Sequence, residues 1–254
     1  MPKTLIVNAD DCNLTPGVTR AILDCHDHGI LSSTTWIVNL PHDEKTVKAL
    51  KARKRLGVGI HLNLTLGRPV SPEAAVASLL AEDGCFRKAG IQLEHLPRPA
   101  EVRAEYGAQI EKFKKIFGRL PTHLDTHHQI HDHPFYLVIA SELANERNLP
   151  LRRSRLLVEK ASYDFHFTTA DFLFGDLRPE GHWHKAQLEE TLKALPEGIS
   201  EIMCHPGEND AALKAISSFT AGREEEWQLF RAGHWRAFLA RCGITLAHYG
   251  LCTP

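Results

Sequence analysis

Short apolar runs alternate with amphipathic stretches along almost the whole chain, and that alternation narrows the fold class more than any other feature. Leu5-Ile6-Val7 reads as a buried strand that runs out to Asn8-Ala9-Asp10-Asp11. Thr15-Pro16 then offers an N-cap and a proline in the first helical turn, and Val18, Ala21, Ile22 and Cys25 follow at helical spacing, with Gly29 as the stop. Further strands are expected over 33–40, 57–64, 121–128, 149–153, 199–204 and 244–249. Helices are expected over about 43–54, the segment opened by Ser71-Pro72, about 100–117, 134–145 and 223–240. Strands that alternate with helices imply a mainly parallel sheet of about seven strands with helical crossovers. Residues 154–185 fit neither period, and a long irregular stretch in a compact domain often forms a binding element or a lid.

The chain has 254 residues and no Gly/Ser-rich linker or shift in composition, so one domain over 1–254 is expected. Thirty Lys and Arg balance 31 Asp and Glu, which gives no basic face for nucleic acid. The apolar run near the start is too short for a signal peptide or a membrane span. The six cysteines, at 12, 25, 85, 204, 242 and 252, form no C-x-x-C pair and suit reduced thiols of a cytoplasmic protein. A homodimer is the commonest assembly for such a chain.

Sixteen histidines point towards metal or proton chemistry. In a parallel barrel or doubly wound sheet the active site lies at the C-terminal ends of the strands. Those ends carry Asp10 and Asp11, Asn39, His61 and Asn63, then Asp125, His127 and His128, and finally His205 and His248. Polar side chains that close apolar runs cost free energy unless paired or bound to a metal. Of Asp10 and Asp11, one could hold a metal while the other takes a proton from water. His61 and Asn63 lie two apart on a strand and so share a side. The run from Thr122 to Pro134 holds five histidines and two aspartates, with His123, Asp125 and His127 on one side of the strand. His205, in Cys204-His205-Pro206-Gly207, could protonate a leaving group. His182 and His184 could touch substrate. Trp36, Trp183 and Trp227 could stack on a sugar, although a core role is expected for at least two of them.

Four ordered motifs carry a resemblance that runs from residue 3 to about 208. Leu5 to Asp11, Gly59-Ile60-His61-Leu62-Asn63-Leu64, Pro121 to His128 and His205-Pro206-Gly207 together resemble the YdjC/ChbG carbohydrate deacetylases, carbohydrate esterase family 11. The resemblance implies a distorted TIM-like barrel in the α/β class. It implies one divalent metal on Asp11, His61 and His127, with Asp10 as catalytic base and His205 as general acid; the resemblance points to Mg2+, while imidazole ligands favour Zn2+. The substrate implied is an N-acetylated oligosaccharide or a related glycolipid, and Asn63, Asp125, His128 and His131 are the candidate substrate contacts. Cys12-Asn13 stands where the family commonly has Phe-Gly, and Gln129 where it commonly has a third consecutive histidine. The rival readings are another barrel metallohydrolase, such as a two-metal phosphoesterase bridged by Asp10, Asp11 or Asp125, and a non-catalytic sugar- or metal-binding protein.

Overall fold

The structure, a computed structural model, describes residues 2–156, 167–175 and 181–251. They form an α/β fold of parallel strands with helical crossovers, in the class of the distorted TIM-like barrel expected from the sequence. Among the described residues, seven strands lie in one sheet, ordered β4-β3-β2-β1-β6-β5, with β7 also paired to β1. The chain divides into two compact units: residues 1–36, 44–58 and 170–254, and residues 37–43 and 59–169.

The first unit is built around β1 (Lys3–Cys12), whose residues from Leu5 to Val7 are wholly buried. β1 pairs in parallel with β2 (Ser33–Trp36), with β6 (Gly198–Cys204) and with β7 (Ile244–Leu246). β5 (Phe172–Phe174) lies outside β6. The first two residues of β3 (Gly57–Leu62) lie beside β2, where Gly57 N–H donates to the Ser32 carbonyl at 3.0 Å. α1 (Pro16–His28) starts where Thr15 accepts the Val18 N–H, and it buries Val18, Ala21, Ile22 and Cys25. Burying each larger apolar side chain stabilises by about 1.5–3 kcal/mol. A Cβ at Gly29 would lie 1.8 Å from the Phe230 carbonyl oxygen, so glycine alone permits that approach. α2 (Glu44–Ala52) and α6 (Lys185–Ala194) are further helices of this unit, as are α7 (Ala211–Lys214), α8 (Ala221–Phe230) and α9 (His234–Arg241).

In the second unit the later residues of β3 pair with β4 (Leu124–Thr126), His61 opposite Asp125. α3 (Ala89–Glu94), α4 (Pro99–Phe117) and α5 (Pro134–Glu146) complete it. α4 buries Val102, Tyr106, Ile110 and Phe113 at helical spacing and ends at Gly118, whose φ of 72° suits a glycine C-cap.

Several expectations need correction. Residues 149–153 form no strand; Leu151 makes a single bridge to Leu124. The fifth strand is Phe172–Phe174, inside the stretch read as irregular, and its length of three residues gives too little pattern to detect. Within that stretch, residues 157–166 and 176–180 lie outside the described residues. The segment after Ser71-Pro72 forms two 3-10 turns, Glu73–Ala75 and Ala77–Leu79, with no side-chain cap at either start. The expected helix over 223–240 is two helices, α8 and α9. The second strand stops at Trp36, and the seventh at Leu246. All the cysteines among the described residues are free thiols, and burial pushes the Cys12 thiol up to about 12. No helix among the described residues is long and apolar enough to cross a membrane.

Candidate active site

In the first unit the site residues stand at the ends of β1 and β6, which run side by side with Ala9 opposite Cys204. The β1–β2 register slips between Ala9 and Cys12, and Asp11 takes a φ of 65° and Asn13 a φ of 76°. Left-handed backbone is costly outside glycine and concentrates at functional sites. Asp10 and Asp11 are both buried, as is every residue of β1 from Leu5 to Cys12.

Asp10 accepts a hydrogen bond from the Asn8 side-chain amide on Oδ1 at 2.9 Å. Its Oδ2 lies 3.8 Å from Nε2 of His205. Asp11 Oδ2 accepts from the Arg223 guanidinium of α8 at 2.6 Å, with both side chains buried. His205 is held from behind. Its backbone N–H donates to Glu226 of α8 at 2.5 Å, and the Trp183 N–H donates to the same carboxyl at 3.0 Å. Burial is the main influence on Glu226 and raises its pKa to about 7. Edge-on against the His205 ring stands Phe219, 5.7 Å between centroids.

In the second unit the site residues stand at the ends of β3 and β4. His61 Nδ1 is 2.7 Å from Asp125 Oδ1, and the other carboxylate oxygen of Asp125 is 3.1 Å from Arg152. All three side chains are buried. Burial alone would raise the Asp125 carboxyl, but the adjacent His61 and Arg152 charges outweigh it and hold the pKa below the ordinary carboxylate range. His127 follows β4 directly, with its ring 5.2 Å from that of His61. The next two residues, His128 and Gln129, have φ of 57° and 48°. Thus four of the five non-glycine residues with positive φ among the described residues fall just at the ends of β1 and β4.

The remaining sequence candidates take distinct places. His128 is exposed and pairs through Nδ1 with the Thr65 hydroxyl at 2.9 Å. Asn63 is buried and fully used by its turn: it accepts from Thr65 N–H and Leu66 N–H, and its amide donates to Asn39 and to the Leu66 carbonyl. His131 is fully buried against the Thr126 hydroxyl, at 2.6 Å, and burial pushes its pKa down to about 4. Trp36 and Trp183 are core residues, while Trp227 is half-buried and donates to Asp24.

Sequence reasoning passed over Arg223, Glu226, Arg152 and Thr65. Arg152 offered a signal, a charge set beside Leu149 and Leu151 in an apolar run. Arg223 and Glu226 offered none, since charged residues on an amphipathic helix ordinarily face water.

The chain is 34% identical over 250 residues to a carbohydrate deacetylase of Geobacillus stearothermophilus, covering 98% of both chains. It is 33% identical to a chitooligosaccharide deacetylase of Proteus mirabilis, again over 98% of both. A crystal structure of a protein named for cellobiose-phosphate cleavage, from Enterococcus faecalis V583, superposes with a TM-score of 0.87 at 32% identity, covering all of both chains. A CE4 esterase of Streptococcus mutans shares the fold at a TM-score of 0.53 and 14% identity, over 97% of this chain and 86% of that one. The model of the YdjC-like proteins matches residues 4–241, and the chain belongs to that family.

Proposed function

We propose that this protein is a metal-dependent carbohydrate deacetylase that removes an acetyl group from an N-acetylated sugar, of the chitooligosaccharide kind or a related glycan. The observation that carries the reading is Asp10 and His205, a carboxylate and an imidazole 3.8 Å apart at adjacent strand ends, in a chain alike from end to end to carbohydrate deacetylases. A base and an acid are what amide hydrolysis requires, because a proton must leave the attacking water and another must reach the departing amine.

We assign the metal to Asp11, His61 and His127. One carboxylate and two imidazoles suit a divalent ion with positions left for water and substrate. The chain's own geometry fits that assignment. Asp125 takes His61 through Nδ1, which orients the ring, so that Nε2 would be the nitrogen offered to an ion. Arg223 takes Asp11 through Oδ2, so that Oδ1 would be the oxygen offered to an ion. A bound divalent ion supplies Lewis-acid polarisation of the acetamide carbonyl and a lower pKa for water. Asp10, oriented by Asn8, takes the water proton. His205, fixed through its backbone by Glu226, gives a proton to the sugar nitrogen, so acetate and a free amino sugar leave. His128 is exposed beside His127 and is the substrate contact of this cluster. Asn63, Asp125 and His131 act behind it, as the turn, the orienting carboxylate and the packing of the loop. We take the ion as Mg2+ or Zn2+ and the protein as cytoplasmic.

The phosphoesterase reading required a carboxylate that bridges two metals. Asp125 is committed to His61 and Arg152, which argues against it in that role. The test is acetate release from N-acetylglucosamine oligomers by metal-loaded protein, with a chelator control. Chelator-sensitive acetate is expected. Hydrolysis of phosphoesters with no acetate from any N-acetylated glycan would overturn the reading.

A further inference from the structure

Away from the strand ends, a second group of metal-ligating side chains stands on the first unit. His182 and His184 precede α6, and Glu225 lies on α8. His182 Nε2 is 2.9 Å from Glu225 Oε2, and His184 Nδ1 is 3.8 Å from that same oxygen. The two imidazole centroids are 4.3 Å apart, with the rings inclined at 63°. One ligand atom from each of the three residues lies within 4.8 Å of the other two.

We propose that His182, His184 and Glu225 form a second metal site, for a borderline transition-metal ion of the zinc type. An ordinary ion pair would need only His182 and Glu225. A second imidazole at this distance gains little from the carboxylate, and if both rings were protonated their charges would repel. Two neutral imidazoles and one carboxylate around a cation remove that conflict, and the donor set suits zinc better than magnesium.

The site is also pre-formed. His182 and His184 stand two apart, with extended backbone at His184, so they project to one side while Trp183 projects to the other. Trp183 is buried, and its indole N–H donates to the Met203 carbonyl at 2.8 Å. Its backbone N–H donates to Glu226. A Cβ added at Gly222 would meet His182 at 2.9 Å, a measure of how closely that ring packs on α8. The consequence is mechanical. Glu226, the neighbour of Glu225, also receives the His205 N–H. A metal on Glu225 therefore ties residues 182–184 to the helix that holds the proposed general acid.

Equilibrium dialysis of the metal-stripped full-length protein against zinc, with the metal counted by elemental analysis, tests the site. The informative pair is His61→Ala and His61→Ala/His184→Ala. The double variant is expected to hold one zinc fewer per chain than the single, and saturating zinc should raise the Tm of the single variant alone. His184 is more than half exposed, so its loss leaves the core intact. Equal zinc counts and equal Tm shifts in the two variants would overturn the proposal. The metal of the proposed deacetylase site is read separately, from wild type against His61→Ala, so either assignment can fail alone.

Discussion

The ends of β1 and β4 carry the same kind of residue in opposite electrostatic settings. Asp10, at the end of β1, is met by a neutral amide and an imidazole edge 3.8 Å away. Asp125, in β4, is gripped by a histidine at 2.7 Å and an arginine at 3.1 Å, all of them buried. A carboxylate held by a buried arginine and by a histidine hydrogen bond is a poor proton acceptor but a firm anchor for the imidazole it faces. The Asn8 amide donates one neutral hydrogen bond to Asp10, which orients that carboxylate without placing a full positive charge on it. Position at a strand end therefore does not decide what an aspartate does; its partners do.

Mutation can test that contrast directly. The largest effect is expected from Asp10→Asn, which should cost about 10²–10⁴-fold in kcat while metal content and stability stay near wild type. A near wild-type kcat would remove Asp10 as the base. Asp125→Asn should act on stability instead. It removes the carboxylate charge that faces buried Arg152 and His61, so chemical denaturation should show a loss of about 3–5 kcal/mol, and metal affinity should fall roughly 10–100-fold. Unchanged stability would mean that the ion pair is not the anchor described.

An acid titration separates the two regions further. His131 sits behind β4 with its pKa lowered to about 4. It is neutral in the folded chain, whereas the unfolded chain binds its proton near pH ~6.5. Its contribution to stability is thus complete above about pH 6.5 and is lost as pH falls through the folded value near 4. The loss amounts to about 3 kcal/mol, and His131→Gln should flatten that part of the pH–stability curve. The smallest effect is expected at Asn8→Ala. Losing one hydrogen bond, worth about 1 kcal/mol, should lower kcat by about tenfold or less with KM nearly unchanged. A larger change in KM than in kcat would make Asn8 a binding residue and not one that positions Asp10.

Much of this was legible along the chain. Apolar runs closed by Asp10-Asp11, by His61 and by Asp125-Thr126-His127 mark parallel strands whose polar residues collect at one end. The N-cap Thr15 and the apolar spacing of α1 and α4 follow from local chemistry alone. What failed was short or context-dependent. A three-residue strand such as Phe172–Phe174 has no period to detect. The segment 149–153 fails for reasons of pairing: Leu151 is as apolar as any strand residue, yet it makes only a bridge to Leu124.

Residue types and their order were fixed along the chain: two adjacent carboxylates after the first strand, a histidine in the third, a histidine-rich turn after the fourth and a histidine after the sixth. Those are local facts, set by strand and turn chemistry within a few residues. Which partner each of them meets was decided in three dimensions. Arg223 reaches Asp11 across 212 positions of sequence, and Glu226 reaches the His205 backbone from a different element. Charge and hydrogen bonding act through space at a few ångströms, so the partner that sets a carboxylate's role need not lie near it in the chain.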